Sequence, residues 1–165
     1  MTESIALLRR VISVRRARPR RDAPGAIALV LRLGCSALLI WIGYIHLHLW
    51  QEGYRHIPTN GPLFLLDAIA AFLFAAVLLV WWAPLVGLLA AGFTASTLGA
   101  LIISLSVGLF GFDESISASF VVESLVIESV AIVALLGLTL LTAARAPNGD
   151  PPAGADDRRT KAASA

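Results

Sequence analysis

The sequence predicts an all-α polytopic membrane protein: an antiparallel bundle of four transmembrane helices with both termini in the cytoplasm. Three observations carry this. The 165 residues are 58% hydrophobic and only 15% charged, with mean hydropathy +0.80, whereas soluble domains run about half apolar and about a quarter charged. The charges are segregated, with seven arginines from Arg9 to Arg21 and three more basic residues after Ala155. Between Gly34 and Ala144 the only basic side chain besides the histidines is Arg55. Finally, four apolar runs are each long enough for a hydrocarbon core, which takes about 20 residues.

The runs cover residues 27–50, 62–82, 84–110 and 119–143, within a transmembrane domain of 26–144. TNGP (59–62) is a turn with proline ready for a first helical position, and WWAP (81–84) is a tight hairpin. GFDES (111–115) is a polar loop. Trp50, Trp81, Trp82, Phe110 and Phe112 mark span ends, as interfacial aromatics do. The arginines before the first span hold the N-terminus in the cytoplasm, and four crossings return the C-terminus there, so the plasma membrane is the expected location. A cleaved signal peptide fits poorly, because the first run exceeds an h-region and no small-x-small site follows it.

Residues 1–25 form a basic cytoplasmic segment. Ile5, Leu8, Val11 and Ile12 recur at helical spacing among Arg9, Arg10, Arg15 and Arg16, which suits an amphipathic helix on anionic lipid. Membrane topology accounts for the arginines, so no nucleic-acid partner is expected. Residues 145–165 are a disordered cytoplasmic tail by composition. Lys161 is the only lysine, and this bias together with abundant alanine suggests a GC-rich bacterial genome. The single cysteine, Cys35, excludes an intramolecular disulfide.

Lipid gives helices no hydrophobic reason to associate, so small residues that let backbones approach matter. The third span carries two stripes of them at four-residue spacing: Gly87, Ala91, Ala95 and Gly99, and beside them Gly92, Ser96, Ala100, Ser104 and Gly108. This predicts the third span as the central packing helix, with a stripe available to a homo-oligomer or a larger membrane complex.

The chemistry lies in IHLHLW (45–50) and what faces it. At 1.5 Å per residue, His46 is about 6 Å below the outer end of the first span, Asp67 about 7 Å into the second, and Glu123 and Glu128 about 6 and 13 Å into the fourth. His46, His48, Glu52, Arg55, His56, Asp67, Glu123 and Glu128 are therefore expected to gather in the outer half of the membrane, as a site for protons or cations. A carboxylate near a helix centre costs about 2.5–3.5 kcal/mol, so Glu128, the deepest, should be protonated or hold a partner. The bland reading of the same residues is a structural polar lock. Helix N-termini favour Asp67 and Glu123, Arg55 can pair with one of them, and His48 can bond at the interface.

A metal is left open and no cofactor is implied. His46 and His48, two apart, point about 200° apart on a helix, while Glu123 and Glu128 diverge by about 140°. No HExxH, GxSxG, Walker or CxxC motif is present, so no catalytic residue is assigned. The stretches 45–71 and 104–128, through HLHLW, GYR-IPT-GPLFLL and VGLFGF-ES followed by VVES, resemble a group of small four-span membrane proteins of high-GC Gram-positive bacteria. That resemblance covers about residues 26–143 and implies the four-helix architecture with these motifs outward; it implies no activity. The expected function is a small binding or transport component, or an accessory subunit. The alternatives are a metal- or quinone-dependent membrane redox enzyme and a purely structural scaffold.

Overall fold

A computed structural model describes residues 15–16, 23–111 and 113–144. Four helices dominate it: α1 (Ala23–Glu52), α2 (Asn60–Val80), α3 (Pro84–Val107) and α4 (Val121–Ala143). A 3₁₀ turn, Tyr54–His56, joins α1 to α2. All four helices are long and apolar enough to cross a membrane. Their outward faces are hydrophobic too: Leu73 is 60% exposed, Val133 72% and Leu140 70%. A water-soluble bundle would cover such faces with polar residues.

Local chemistry explains the ends. Ala83 is extended (φ −139°, ψ 146°), as the residue before a proline prefers, and Pro84 opens α3. The expected second span therefore ends early, at Val80. Trp81–Trp82 form a short strand β2, antiparallel to β1 (Arg15–Arg16), with Arg15 opposite Trp82 and Arg16 opposite Trp81. The amphipathic helix expected through Arg16 thus does not include those two residues, which are extended; the rest of it, like the tail from 145, lies outside the described residues. The third span stops at Val107 rather than 110. Positive φ at Gly108 (79°), Phe110 (52°) and Gly111 (77°) turns the chain out of helical geometry.

The packing corrects one expectation. No helix is central: α1 lies along α2 and α4, α4 lies along α1 and α3, and α3, despite the tight hairpin, meets α2 only lightly. Of the predicted stripes on α3, only Gly87, Ala91 and Ser104 are buried. Gly92, Ala95 and Ser96 face outward, and Gly99, Ala100 and Gly108 are half-buried. A Cβ added at Gly92 or Gly99 would meet nothing within 4 Å. The reason is angular: four residues turn a helix by about 400°, so each step of a four-residue repeat drifts about 40° off its face. The buried face mixes steps of three and four through Gly87, Ala90, Ala91, Thr94, Thr97 and Ser104.

The core is layered along the bundle axis. Toward the termini, Cys35, Leu39, Ala75, Leu78, Ala90, Ala91, Leu135 and Leu138 from all four helices form an apolar cluster. Ile42, Ala71 and Ala131 continue it to mid-bundle. One ion belongs to this half. Arg32 is buried, and its Nε and Nη2 donate to the carbonyl oxygens of Leu78 and Leu79. Those carbonyls lie in the last turn of α2, where no intrahelical donor is left for them. Beyond Ile45, in the half away from the termini, the interior becomes polar.

Candidate functional site

A cavity of about 100 Å³ occupies that polar half. All four helices contribute: His46 from α1, Asn60 and Asp67 from α2, Thr97 and Ser104 from α3, Ser124 and Glu128 from α4. Apolar walls include Ile45, Leu49, Phe64 and Phe120, and Glu114 reaches in from the 108–120 loop. A single water needs only about 10–15 Å³ of such volume, so this space suits a small molecule or several waters.

Of the eight residues expected to gather here, the structure brings together three: His46, Asp67 and Glu128. The angular arithmetic accounts for the others. His48 points away from His46, with Nε2 3.2 Å from Glu52 Oε1, one turn on. Its ring stacks on Tyr44 and meets the edge of Phe120. Glu123 accepts a hydrogen bond of 2.8 Å from Trp41 Nε1 outside the cavity. Arg55 and His56 are exposed, joined by an Arg55 Nε to His56 Nε2 bond of 3.3 Å. Arg55 makes no ion pair with a carboxylate among the described residues, so the pairing with Asp67 or Glu123 is not formed.

The states of the three convergent groups follow from their neighbours. His46 Nδ1 lies 2.9 Å from the Ile42 carbonyl oxygen, which can only accept, so Nδ1 carries a hydrogen. The other nitrogen, Nε2, then faces Asp67 Oδ2 at 4.0 Å, beyond hydrogen-bond reach but within strong electrostatic contact.

Glu128 is 2% exposed. Its Oε2 lies 2.8 Å from Thr97 Oγ1, and that hydroxyl also lies 2.9 Å from the Thr94 carbonyl oxygen. Thr97 has one hydroxyl proton for two oxygens. Thr97 Oγ1 donates to Glu128 Oε2 or to the Thr94 carbonyl, and the buried Glu128 carboxyl, in no ion pair among the described residues, is favoured in its neutral form. The cations of the described helices do not contradict this, since Arg32 is committed to carbonyls at the opposite end.

Over the cavity, Tyr54 donates to Glu114 Oε2 at 2.7 Å, tying the 3₁₀ turn to the 108–120 loop. Burial, and then the Glu114 carboxylate, push the Tyr54 phenol above its ordinary range. Gly61 sits under the same turn. A Cβ there would lie 2.8 Å from the carbonyl oxygens of Tyr54 and Arg55, so only glycine allows this approach.

Sequence reasoning passed over Asn60, Thr97 and Glu114. Asn60 reads as a turn residue and Thr97 as a common helix hydroxyl, and nothing in the pattern separates them from their neighbours. Arg32 had a signal: an arginine well inside an apolar run needs a partner. Among the described residues no three His, Cys, Asp or Glu side chains are grouped so as to hold a metal ion. No protein-family model, curated protein or solved structure matches the chain.

Proposed function

We propose that the four helices cross the plasma membrane with both termini cytoplasmic, and that the cavity lies in the outer half and takes up and releases protons or cations. The protein then acts as a small binding or transport component, or as an accessory subunit. The arginines ahead of α1 support the orientation, since positive charge favours the cytoplasmic side and its anionic lipid. Backbone pairing of Arg15–Arg16 with Trp81–Trp82 fits an N-terminal segment at the same end as the α2–α3 hairpin. The two stretches that resemble small four-span bacterial proteins, 45–71 and 104–128, supply His46, Asn60, Asp67, Ser104, Glu114, Ser124 and Glu128, which are most of the cavity's polar lining.

The observation that carries the functional reading is Glu128 itself: a carboxyl 2% exposed on the cavity wall, hydrogen-bonded to the neutral Thr97 hydroxyl and in no ion pair among the described residues. A buried acid facing a cavity, with the Asp67 carboxyl and the His46 ring on the same wall, is suited to exchanging protons for cations. Infrared spectroscopy of the protein in lipid nanodiscs tests this. The carbonyl stretch of a protonated carboxylic acid should be present, should titrate with pH, and should be lost in Glu128→Gln. Identical spectra for wild type and Glu128→Gln at every pH would refute the reading.

A further inference from the structure

The four helices form two hairpins that are fastened together unevenly. α1 lies closely along α2, and α3 along α4, whereas α2 and α3 meet only lightly. In the half away from the termini, the fastenings run from α1 and the 3₁₀ turn to α4 and the 108–120 loop. They are Trp41 to Glu123 at 2.8 Å, Tyr54 to Glu114 at 2.7 Å, and the His48 ring against the edge of Phe120. The α2–α3 seam is joined instead near mid-bundle, by the Phe74 and Phe93 rings with centroids 5.4 Å apart.

Seven residues return a helix to within about 20° of the same face and carry it about 10 Å along its axis. One such step outward from the ring pair reaches Asp67 on α2 and Ala100 on α3, and both line the cavity. Two rings close the seam; a short side chain opposite a methyl leaves it open. Exposure puts the opening on this side. The cavity residues of α1 and α4, among them His46, Ser124 and Glu128, are all buried. Leu63, by contrast, is 37% exposed, the Asp67 side chain 28%, and Ala100 and Leu101 are half-buried. The neighbouring Leu66 and Ile103 are exposed and apolar, and the Ser96 hydroxyl is spent on the Phe93 carbonyl oxygen of its own helix.

We infer that the cavity opens sideways between α2 and α3 into the outer leaflet, with a lipid acyl chain across its mouth at Ala100, and that its ligand is a lipid-soluble molecule drawn from the bilayer. Ala100 lies about 10 Å from the end of α3 at Val107, which sets the mouth within the hydrocarbon. An acyl chain covers apolar side chains there, where no water is present to do so. A hydrated ion is excluded from such a mouth by the cost of charge in hydrocarbon. This rests on the transmembrane placement proposed above and deepens it by giving the site an entrance: what exchanges with Glu128 arrives in a form that dissolves in lipid.

Spin-label accessibility of the full chain in lipid nanodiscs tests it. Nitroxides are attached at Ala100→Cys and, separately, Leu63→Cys, in a Cys35→Ala background. Each is read against oxygen, which concentrates in hydrocarbon, and nickel ethylenediaminediacetate, which stays in water. Val133→Cys on the exposed face of α4 and Asp113→Cys in the loop are the two references. Both seam sites should match Val133, rich in oxygen collisions and poor in nickel, and oppose Asp113. A site counts only if its labelled protein keeps the wild-type unfolding curve, and either site alone suffices. Adding Ala100→Phe, which places a third ring in the gap, should lower oxygen collisions at Leu63 severalfold. On the wild-type chain, lipid-soluble dicyclohexylcarbodiimide should couple to Glu128 or Asp67 faster than a water-soluble carbodiimide does. Nickel-rich seam sites, seam sites closed to both reagents, an Ala100→Phe variant without effect, or faster coupling by the water-soluble reagent would each overturn the lateral entrance. A nickel-rich Val133 would remove the transmembrane placement as well, whereas a lipid-like Val133 beside failing seam sites removes the entrance alone.

Discussion

The two ends of the bundle use charge in opposite ways. At the end nearer the termini, where the core is apolar, Arg32 is buried and gives its donors to carbonyls in the last turn of α2. A cation at a helix C-terminus also complements the helix dipole. Its role is complete without any further molecule. At the other end, four helices bring polar groups around a space, and some of those groups have capacity to spare: His46 and Asp67 stand 4.0 Å apart, and Asn60 Oδ1 is unpartnered among the described residues. Buried polarity alone therefore does not mark a site. Unspent hydrogen-bonding capacity around a cavity does, and that distinguishes the His46–Asp67–Glu128 end from the Arg32 end.

The comparison can be broken most sharply at Arg32. Arg32→Met leaves the Leu78 and Leu79 carbonyls without their charged donor, and we expect a loss of about 2–4 kcal/mol in detergent unfolding titrations. The infrared acid band of Glu128 should be unchanged in the folded fraction; a shift there would join the two ends that the structure separates. A smaller effect belongs to Gly61→Ala. The added methyl meets two backbone oxygens at 2.8 Å, so the 3₁₀ turn must shift, at about 1–3 kcal/mol in the same titration. No loss of stability would mean the turn does not pack as described.

The mildest change is Tyr54→Phe, which removes the 2.7 Å bond to Glu114 at about 1 kcal/mol. It carries a pH signature. The Tyr54 phenol is raised in the folded protein by burial and by Glu114, so its contribution is fully present below the ordinary phenol value of about 10 and fades as pH rises toward the folded value. Wild type should lose melting temperature on alkaline titration beyond about pH 10, and Tyr54→Phe should lose less. Equal losses in both proteins would show that Tyr54 is not the group responsible.

Helix content was readable residue by residue, and so was much of the angular logic at the polar end. His46 and His48 diverge as their spacing requires, and Glu123 turns to Trp41 while Glu128 turns inward. What spacing could not give was which member of each pair faces the interior. Of the eight residues it named, His46, Asp67 and Glu128 line the cavity, while His48, Glu52, Arg55, His56 and Glu123 do not, because level along the axis was known and rotation about it was not. The same gap misassigned α3, where a four-residue repeat of small residues spirals off the buried face.

By itself the sequence determined four apolar helices, their order and, within a few residues, their ends, since length, hydropathy, proline and turn chemistry act locally along the chain. The tertiary structure alone decided which helices lie side by side, that Arg32 closes α2, and that Asn60 and Thr97 join the cavity. Helices that are apolar nearly all round carry no polar stripe to fix their rotation. That rotation is set by side-chain fit between neighbours and by the few polar groups that must find partners away from water.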